Sequence, residues 1–183
     1  MIEVEKKFQP TEEQLKALVN NSKFIKEVEL HDLYYDYPDY SLWKKTVFFR
    51  NRNGGFEVKI QVKDTGSYNE IEDEESIKKY FKTDKPISEF IKENFIVAVD
   101  FKTKRQKYKK DDFNIDVDEL SFGYKCVEIE LLVGDESQIK DAQEKIIHLA
   151  EQYGFDMKKV PPKRHEYFRI VKPDIYKDLY QDK

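Results

Sequence analysis

The chain has 183 residues, 39% hydrophobic and 38% charged, with a formal charge of −4. That length suits one domain, the 12 Tyr and 13 Phe argue against disorder, and the acidic balance argues against a general nucleic-acid binder. The single cysteine, Cys126, rules out an internal disulfide framework and fits a reducing compartment. Residues 1–25 lack the apolar core of a signal peptide, and no segment is long and apolar enough to span a bilayer. The expectation is a cytoplasmic, monomeric domain over residues 1–183, with neither nucleic acid nor membrane as partner.

Residues 2–8 read as a strand. After Pro10, Thr11 and Gln14 have the spacing of a capping box, and Leu15, Leu18 and Val19 give the following helix an apolar face. Residues 29–37 read as a second strand, stopped by Pro38. Residues 46–53 and 56–63 read as a hairpin about Asn53-Gly54-Gly55, residues that accept the positive φ of a tight turn. Residues 64–68 and the acidic run Glu70–Glu75 read as loop. Two short helices, 76–82 and 86–94, are expected next, then β pattern over 95–109. Strands are expected over 113–118 and 124–133, with a turn between. Ile139, Ala142, Ile146, Leu149 and Tyr153 follow helical spacing up to Gly154. Val160-Pro161-Pro162 forces an extended connector, 164–170 reads as a last strand, and 174–180 as a terminal helix. Strands with interspersed helices indicate an α+β fold with an antiparallel sheet.

The side-chain parities carry the functional signal, because a strand sends successive side chains to opposite faces. Glu3, Glu5 and Lys7 alternate with Ile2, Val4 and Phe8. Arg50 and Arg52 lie opposite Phe49. Glu57, Lys59, Gln61 and Lys63 alternate with Phe56, Val58, Ile60 and Val62. Asp116 and Asp118 oppose Ile115 and Val117, and Glu128 and Glu130 oppose Val127, Ile129 and Leu131. A solvated outer face explains any one such strand. Five of them, with an amphipathic helix that needs an apolar face to cover, point to charges turned inward around a polar lumen. Converging Arg and Lys groups would repel one another unless a polyanion joined them, and clustered carboxylates would repel unless a divalent cation did. Cys126 has the parity of Glu128 and Glu130 if its strand is regular. His31, His148 and His165 have no metal-ligand spacing, and no GxxxxGK[ST] motif is present.

Glu3-Val-Glu5-Lys6-Lys7 resembles the ExExK signature of CYTH domains, the triphosphate tunnel metalloenzymes. Tyr34-Tyr35-Asp36 with Pro38, Arg50-x-Arg52, Glu57-Val-Lys59, Thr103-Lys-Arg105, Asp116-x-Asp118, Phe122-Gly123-Tyr124 and Glu128-Ile-Glu130 extend the likeness, which ends with Pro162-Lys163 and Tyr167. Within that family the pattern is most similar to thiamine triphosphatases. The resemblance implies a closed, antiparallel eight-stranded barrel with helices outside, and Mg²⁺-dependent hydrolysis of a small-molecule triphosphate, with Mn²⁺ able to replace Mg²⁺. It implies Asp116, Glu128 and Glu130 as metal ligands, joined by Glu3 and Glu5, and Lys7, Arg50, Arg52, Lys59, Arg105 and Lys163 as phosphate ligands. Tyr34 and Lys59 resemble a pair that assists the attacking water, Lys59 yielding its proton more readily inside a cationic cluster. The relatives carry tryptophan two residues before the first arginine, against the organic moiety. Phe48 stands there in this chain, which keeps inorganic triphosphate or a nucleoside triphosphate open as substrate beside thiamine triphosphate. A module that binds oligophosphate without turnover is the alternative outside enzymes.

Overall fold

The computed structural model describes residues 2–62 and 68–180. In chain order the elements are β1 (Ile2–Phe8), α1 (Glu12–Asn20), β2 (Lys23–Asp36), α2 (Ser41–Lys44), β3 (Val47–Arg52), β4 (Gly55–Gln61), β5 (Tyr68–Ile71), α3 (Glu74–Phe81) and α4 (Ile87–Asn94). They continue with β6 (Ile96–Lys110), β7 (Phe113–Leu120), β8 (Lys125–Val133), a 3₁₀ turn (Glu136–Gln138), α5 (Ile139–Gln152), α6 (Lys163–Val171) and α7 (Pro173–Tyr180). The strands hydrogen-bond in the order β1-β8-β7-β6-β2-β3-β4-β5, and β1–β8, β2–β3, β3–β4, β4–β5, β6–β7 and β7–β8 are antiparallel.

This α+β architecture corrects the sequence expectation on one point: the sheet is open. A barrel closes only where the first and last strands pair. Among the described residues β1 pairs with β8 alone and β5 with β4 alone. The four-residue β5, stopped by the Asp73 cap of α3, offers little edge to close against.

The chain divides into two compact units, Met1–Glu29 with Thr103–Glu166 and Leu30–Lys102 with Tyr167–Lys183. In the first unit, one face of β1, β8 and β7 is apolar. Val4, Phe8, Ile115, Val127, Ile129 and Leu131 pack there against Leu18 of α1 and Ala142, Ile146, Leu149 and Ala150 of α5. Burying each large aliphatic side chain stabilises the unit by roughly 1.5–3 kcal/mol, which is why the helices take this face and leave the charged parity to the other. The Thr11 capping box forms as its spacing requires, with Thr11 and Gln14 each satisfying the other's backbone N–H.

In the second unit Val47, Phe49 and Val58 face Ile77 of α3 and Ile87 and Ile91 of α4. The β3–β4 hairpin turns on Asn53 and Gly54 alone, both at positive φ (51° and 93°), because Arg52 pairs with Gly55. That is the type I′ geometry matching strand twist.

Three expectations shift. Residues 68–71, read as loop, form β5, and residues 63–67 lie outside the described residues, Lys63 among them. The strand expected at 29–37 begins earlier, at Lys23. Residues 164–170, read as a strand, form most of α6, in which Phe168 is fully buried and Ile170 and Val171 are exposed.

Candidate functional site

The registers test the parity argument directly. In the first unit Glu5 stands opposite Glu130 and Lys7 opposite Glu128. Asp116 stands opposite Glu128 on one side and opposite Lys107 on the other, with Arg105 opposite Asp118. Directly paired residues share a face, so Glu3, Glu5, Lys7, Arg105, Lys107, Asp116, Asp118, Glu128 and Glu130 form one charged surface. Lys163, in the first turn of α6, reaches the same surface.

Its contacts are dense. Arg105 donates Nε and Nη2 to the two oxygens of Asp118, both at 2.7 Å. It also donates Nη2 to Glu128 Oε2 at 2.5 Å, and its Nη1 lies 2.6 Å from Asp116 Oδ2. Lys7 Nζ lies 2.8 Å from Glu5 and 3.0 Å from Glu128. Lys163 Nζ pairs with Asp118 and lies 2.9 Å from Glu128 Oε1. Lys107 Nζ lies 3.1 Å from Asp116 Oδ2. Burial opposes the charge on Lys7, Arg105 and Lys163, yet the carboxylates beside them, Glu128 for each, outweigh it and hold all three pKa values above the ordinary range. Burial likewise opposes ionisation of Glu128, but Lys163, Lys7 and Arg105 drive its pKa well below the usual carboxylate range.

Glu130 is the exception. It is 8% exposed, and burial, then Glu3 and Asp116, raise its pKa to about 7. Among the described residues it has no hydrogen-bond or ion-pair partner, and Asp116 Oδ1 is buried with none either. Carboxylate oxygens of Asp116, Glu128 and Glu130 lie within 4.8 Å of one another, as do those of Glu3, Glu5 and Glu130. At that range each like-charged pair repels by about 3 kcal/mol at an effective dielectric constant near 20. Hard oxygen donors converging with lone pairs unused fit a divalent cation such as Mg²⁺. Cys126 lies opposite Asp118 on this face, and burial pushes its thiol up to about 12.

The second unit carries its own charged surface. Tyr34 stands opposite Arg50 and Asp32 opposite Arg52. Glu57 stands opposite Arg50 and Lys59 opposite Phe48, with Glu70 opposite Lys59. Here, among the described residues, Arg50, Arg52 and Lys59 each have a carboxylate. Arg52 donates Nε and Nη2 to Asp32 at 2.6 and 2.9 Å. Arg50 Nη2 lies 2.7 Å from Glu57, and Lys59 Nζ lies 2.7 Å from Glu70 and 3.7 Å from Glu57. Tyr34 accepts from Arg50 Nη1 at 3.4 Å, while the described partners of Lys59 are carboxylates. Phe48 is buried edge-on to Trp43, ring centroids 5.0 Å apart, and Trp43 donates Nε1 to Tyr180 at 2.5 Å.

The sequence reading gave no role to Asp32, Glu57 or Asp118. Their signal was parity: Asp32 shares that of Tyr34, Glu57 that of Lys59, and Asp118 that of Asp116.

Each unit thus carries a surface of alternating acid and base on antiparallel strands, and the first brings together carboxylates that could hold a metal ion. The chain belongs to the CYTH domain family, whose model matches residues 1–163. It is 28% identical to the thiamine-triphosphatase of Homo sapiens, over 99% of this chain and 90% of that protein. Among solved structures it is similar to the PH1819 protein of Pyrococcus horikoshii OT3, at 25% identity and TM-score 0.59, over 85% of this chain and 92% of that one. The HpAC1 protein of Hippeastrum, described as having a dominant triphosphatase activity, shares the fold at 17% identity and TM-score 0.60, over 92% of this chain and 95% of that one.

Proposed function

We propose that this chain, working as a single CYTH-like domain over residues 1–183, hydrolyses thiamine triphosphate to thiamine diphosphate and phosphate with Mg²⁺, and with Mn²⁺ in its place. The observation that carries the proposal is the cluster of Asp116, Glu128 and Glu130, in which Glu130 has no described partner while its neighbour Glu128 meets Lys7, Arg105 and Lys163. Anion capture alone has no use for such a group. The thiamine-triphosphatase relatives support the substrate.

Asp116, Glu128 and Glu130, with Glu3 and Glu5, would hold the metal. When bound, the ion supplies charge neutralisation and polarises phosphoryl oxygens. Lys7, Arg50, Arg52, Lys59, Arg105 and Lys163 would donate to the phosphate oxygens, stabilising charge that spreads over the transferred group. Tyr34 and Lys59 would handle the proton of the attacking water. Lys59 starts between Glu57 and Glu70, so substrate would have to displace a carboxylate to reach it. Phe48 would meet the organic moiety. Its burial against Trp43 favours a second reading, in which inorganic triphosphate or a nucleoside triphosphate is preferred.

The same proposal makes the protein a cytoplasmic monomer acting on a small molecule, without nucleic acid or membrane. Among the described residues no helix is long and apolar enough to cross a membrane. Phosphate release from thiamine triphosphate, tripolyphosphate and ATP, each with Mg²⁺, tests it. Thiamine triphosphate should be turned over fastest, and release from none of the three would refute the assignment.

A further inference from the structure

We infer that Asp32 is a positioning residue: it holds Arg50 and Arg52 as a matched pair of donors aimed at neighbouring phosphoryl groups of an oligophosphate. The inference rests on the triphosphatase reading above and adds to it a residue to which that reading gives no role.

Asp32 is 1% exposed and stands on β2 directly opposite Arg52 of β3. Both of its oxygens accept from one edge of the Arg52 guanidinium, at 2.6 and 2.9 Å. Its Oδ1 also lies 3.4 Å from Arg50 Nη1. One buried carboxylate therefore touches both arginines of the Arg-x-Arg pair. Arg50 is fixed from its other side by Glu57 at 2.7 Å, with its guanidinium carbon 5.8 Å from the centre of the Tyr34 ring.

A guanidinium is a planar fork of five N–H donors. The two-bond contact with Asp32 commits Nε and one Nη2 hydrogen, so Arg52 can donate only from its remaining edge. That fixes the direction from which a phosphate must approach. It also makes the Arg52–Asp32 pair neutral, which gives up long-range attraction for a polyanion. Two consequences of neutralising Asp32 then oppose each other: the surface gains net positive charge, and Arg52 loses its orientation. In Asp32→Asn the amide would turn an N–H toward the guanidinium donors or leave one of them unpaired. At 1% exposure that juxtaposition is not relieved by water, so Arg52 turns away. Loss of orientation outweighs the gain in charge, because a guanidinium grips a phosphate through two parallel N–H bonds from a fixed fork, and a turned fork gives up that two-bond contact.

The test is steady-state phosphate release from inorganic triphosphate with Mg²⁺, on the full chain. Asp32→Asn should raise KM about tenfold, about what one lost charge-assisted hydrogen bond gives, with kcat within about threefold of the parent. A merely structural residue would instead lower the active fraction, and so kcat, at constant KM. Arg52→Lys keeps the charge and loses the fork. It should raise KM in the parent but add little in the Asp32→Asn background. An unchanged KM in Asp32→Asn, or an additive double variant, overturns the inference while leaving the triphosphatase reading standing. If Asp32→Asn does not fold by circular dichroism, Asp32→Glu is measured instead: it keeps the charge but moves the paired oxygens, so KM should still rise, and a parental KM overturns the inference. A parent protein that neither binds nor hydrolyses any triphosphate removes both.

Discussion

The charged surfaces of the two units use the same residue types and reach opposite balances. In the first, Glu3, Glu5, Asp116, Asp118, Glu128 and Glu130 face Lys7, Arg105, Lys107 and Lys163, and Lys109 turns instead to the Asp112 carbonyl and Asn114. Carboxylates outnumber cations there, and the excess shows at Glu130, whose neighbours and burial oppose its ionisation, and at an Asp116 oxygen without a hydrogen bond. In the second, Arg50, Arg52 and Lys59 are matched by Glu57, Asp32 and Glu70. Of the two repulsions the sequence led one to expect, that among the cations is met by carboxylates, and that among the carboxylates remains at Glu130. The first surface therefore has carboxylates that could hold a cation, as the proposed function requires. The second is complete as it stands and can recognise an anion only by exchanging partners, which favours direction of approach over bulk attraction.

The largest expected effect separates the two. Glu130→Gln should lower metal-dependent turnover by two orders of magnitude or more, since ligand loss removes the site for the activating ion. Turnover within tenfold of the parent would show that the excess charge has another purpose. Far-UV circular dichroism should be unchanged, because Glu130 gives up no described partner.

Next in size is the contrast between two neighbours on β8. Glu128 contacts Lys7, Arg105 and Lys163 while only 4% exposed. Glu128→Gln leaves those cations short of a counter-charge and should destabilise the metal-free protein by roughly 3 kcal/mol, as breaking a buried pair does. Glu130→Gln removes only repulsion and should leave stability equal or higher. Urea unfolding in the presence of a chelator reads both, and equal losses would break the distinction between a paired and an unpaired carboxylate.

Much of this was legible in the sequence because strand parity is a local property. The alternation Glu3-Glu5-Lys7, Arg50-Arg52 and Glu128-Glu130 told which side chains share a face, and the structure keeps every one of those sets together. Register was not legible. Nothing in the residues around Arg52 says that Asp32, twenty positions earlier, will stand opposite it, so the compensating carboxylates were missed and the cations looked crowded. Length limited the rest. Tyr68–Ile71 is too short, and too rich in Asn and Glu, to show alternation before it pairs with β4. Residues 164–170 alternate apolar and polar side chains only at Phe168-Arg169-Ile170, too few positions to tell a strand from a helix turn. The first half of β2 is almost wholly exposed and shows no period at all.

A pH dependence of intermediate size follows from Glu130. Its pKa rises from an ordinary 4.5 to about 7 in the folded chain. Between those values the folded protein keeps a proton that the unfolded chain releases, so the metal-free protein should lose stability as pH rises through this window. Glu128 is shifted the other way: its contribution is present above the ordinary carboxylate pKa and fades only as pH falls below it, outside this window. The stability difference between pH 5.5 and 7.5, measured with a chelator present, should therefore shrink in Glu130→Gln. Adding Mg²⁺ at pH 7.5 should raise the melting temperature of the parent but not of that variant. A parent whose stability is flat across the window would mean that Glu130 is not strained by its neighbours.

The smallest effect is expected on the second surface, at Lys59 and Glu70. Their side chains are 28% and 42% exposed and meet at 2.7 Å, so the pair gains little over its hydrated state. Glu70→Gln should change stability by less than about 1 kcal/mol, the usual range for such pairs. Its interest lies in what the balanced surface demands of an incoming anion. If phosphate must displace Glu70 to reach Lys59, removing that carboxylate lowers the cost of exchange, and KM for a triphosphate should fall modestly, by about two- to threefold, which corresponds to part of a surface pair's energy. On the first surface the corresponding change, Glu5→Gln beside Lys7, also weakens the metal's surroundings, so there KM should rise. Opposite signs for two carboxylate-to-amide changes, each beside a lysine, are what a cation-seeking and a charge-balanced surface require. A rise in KM for both would mean that the two surfaces treat the ligand alike.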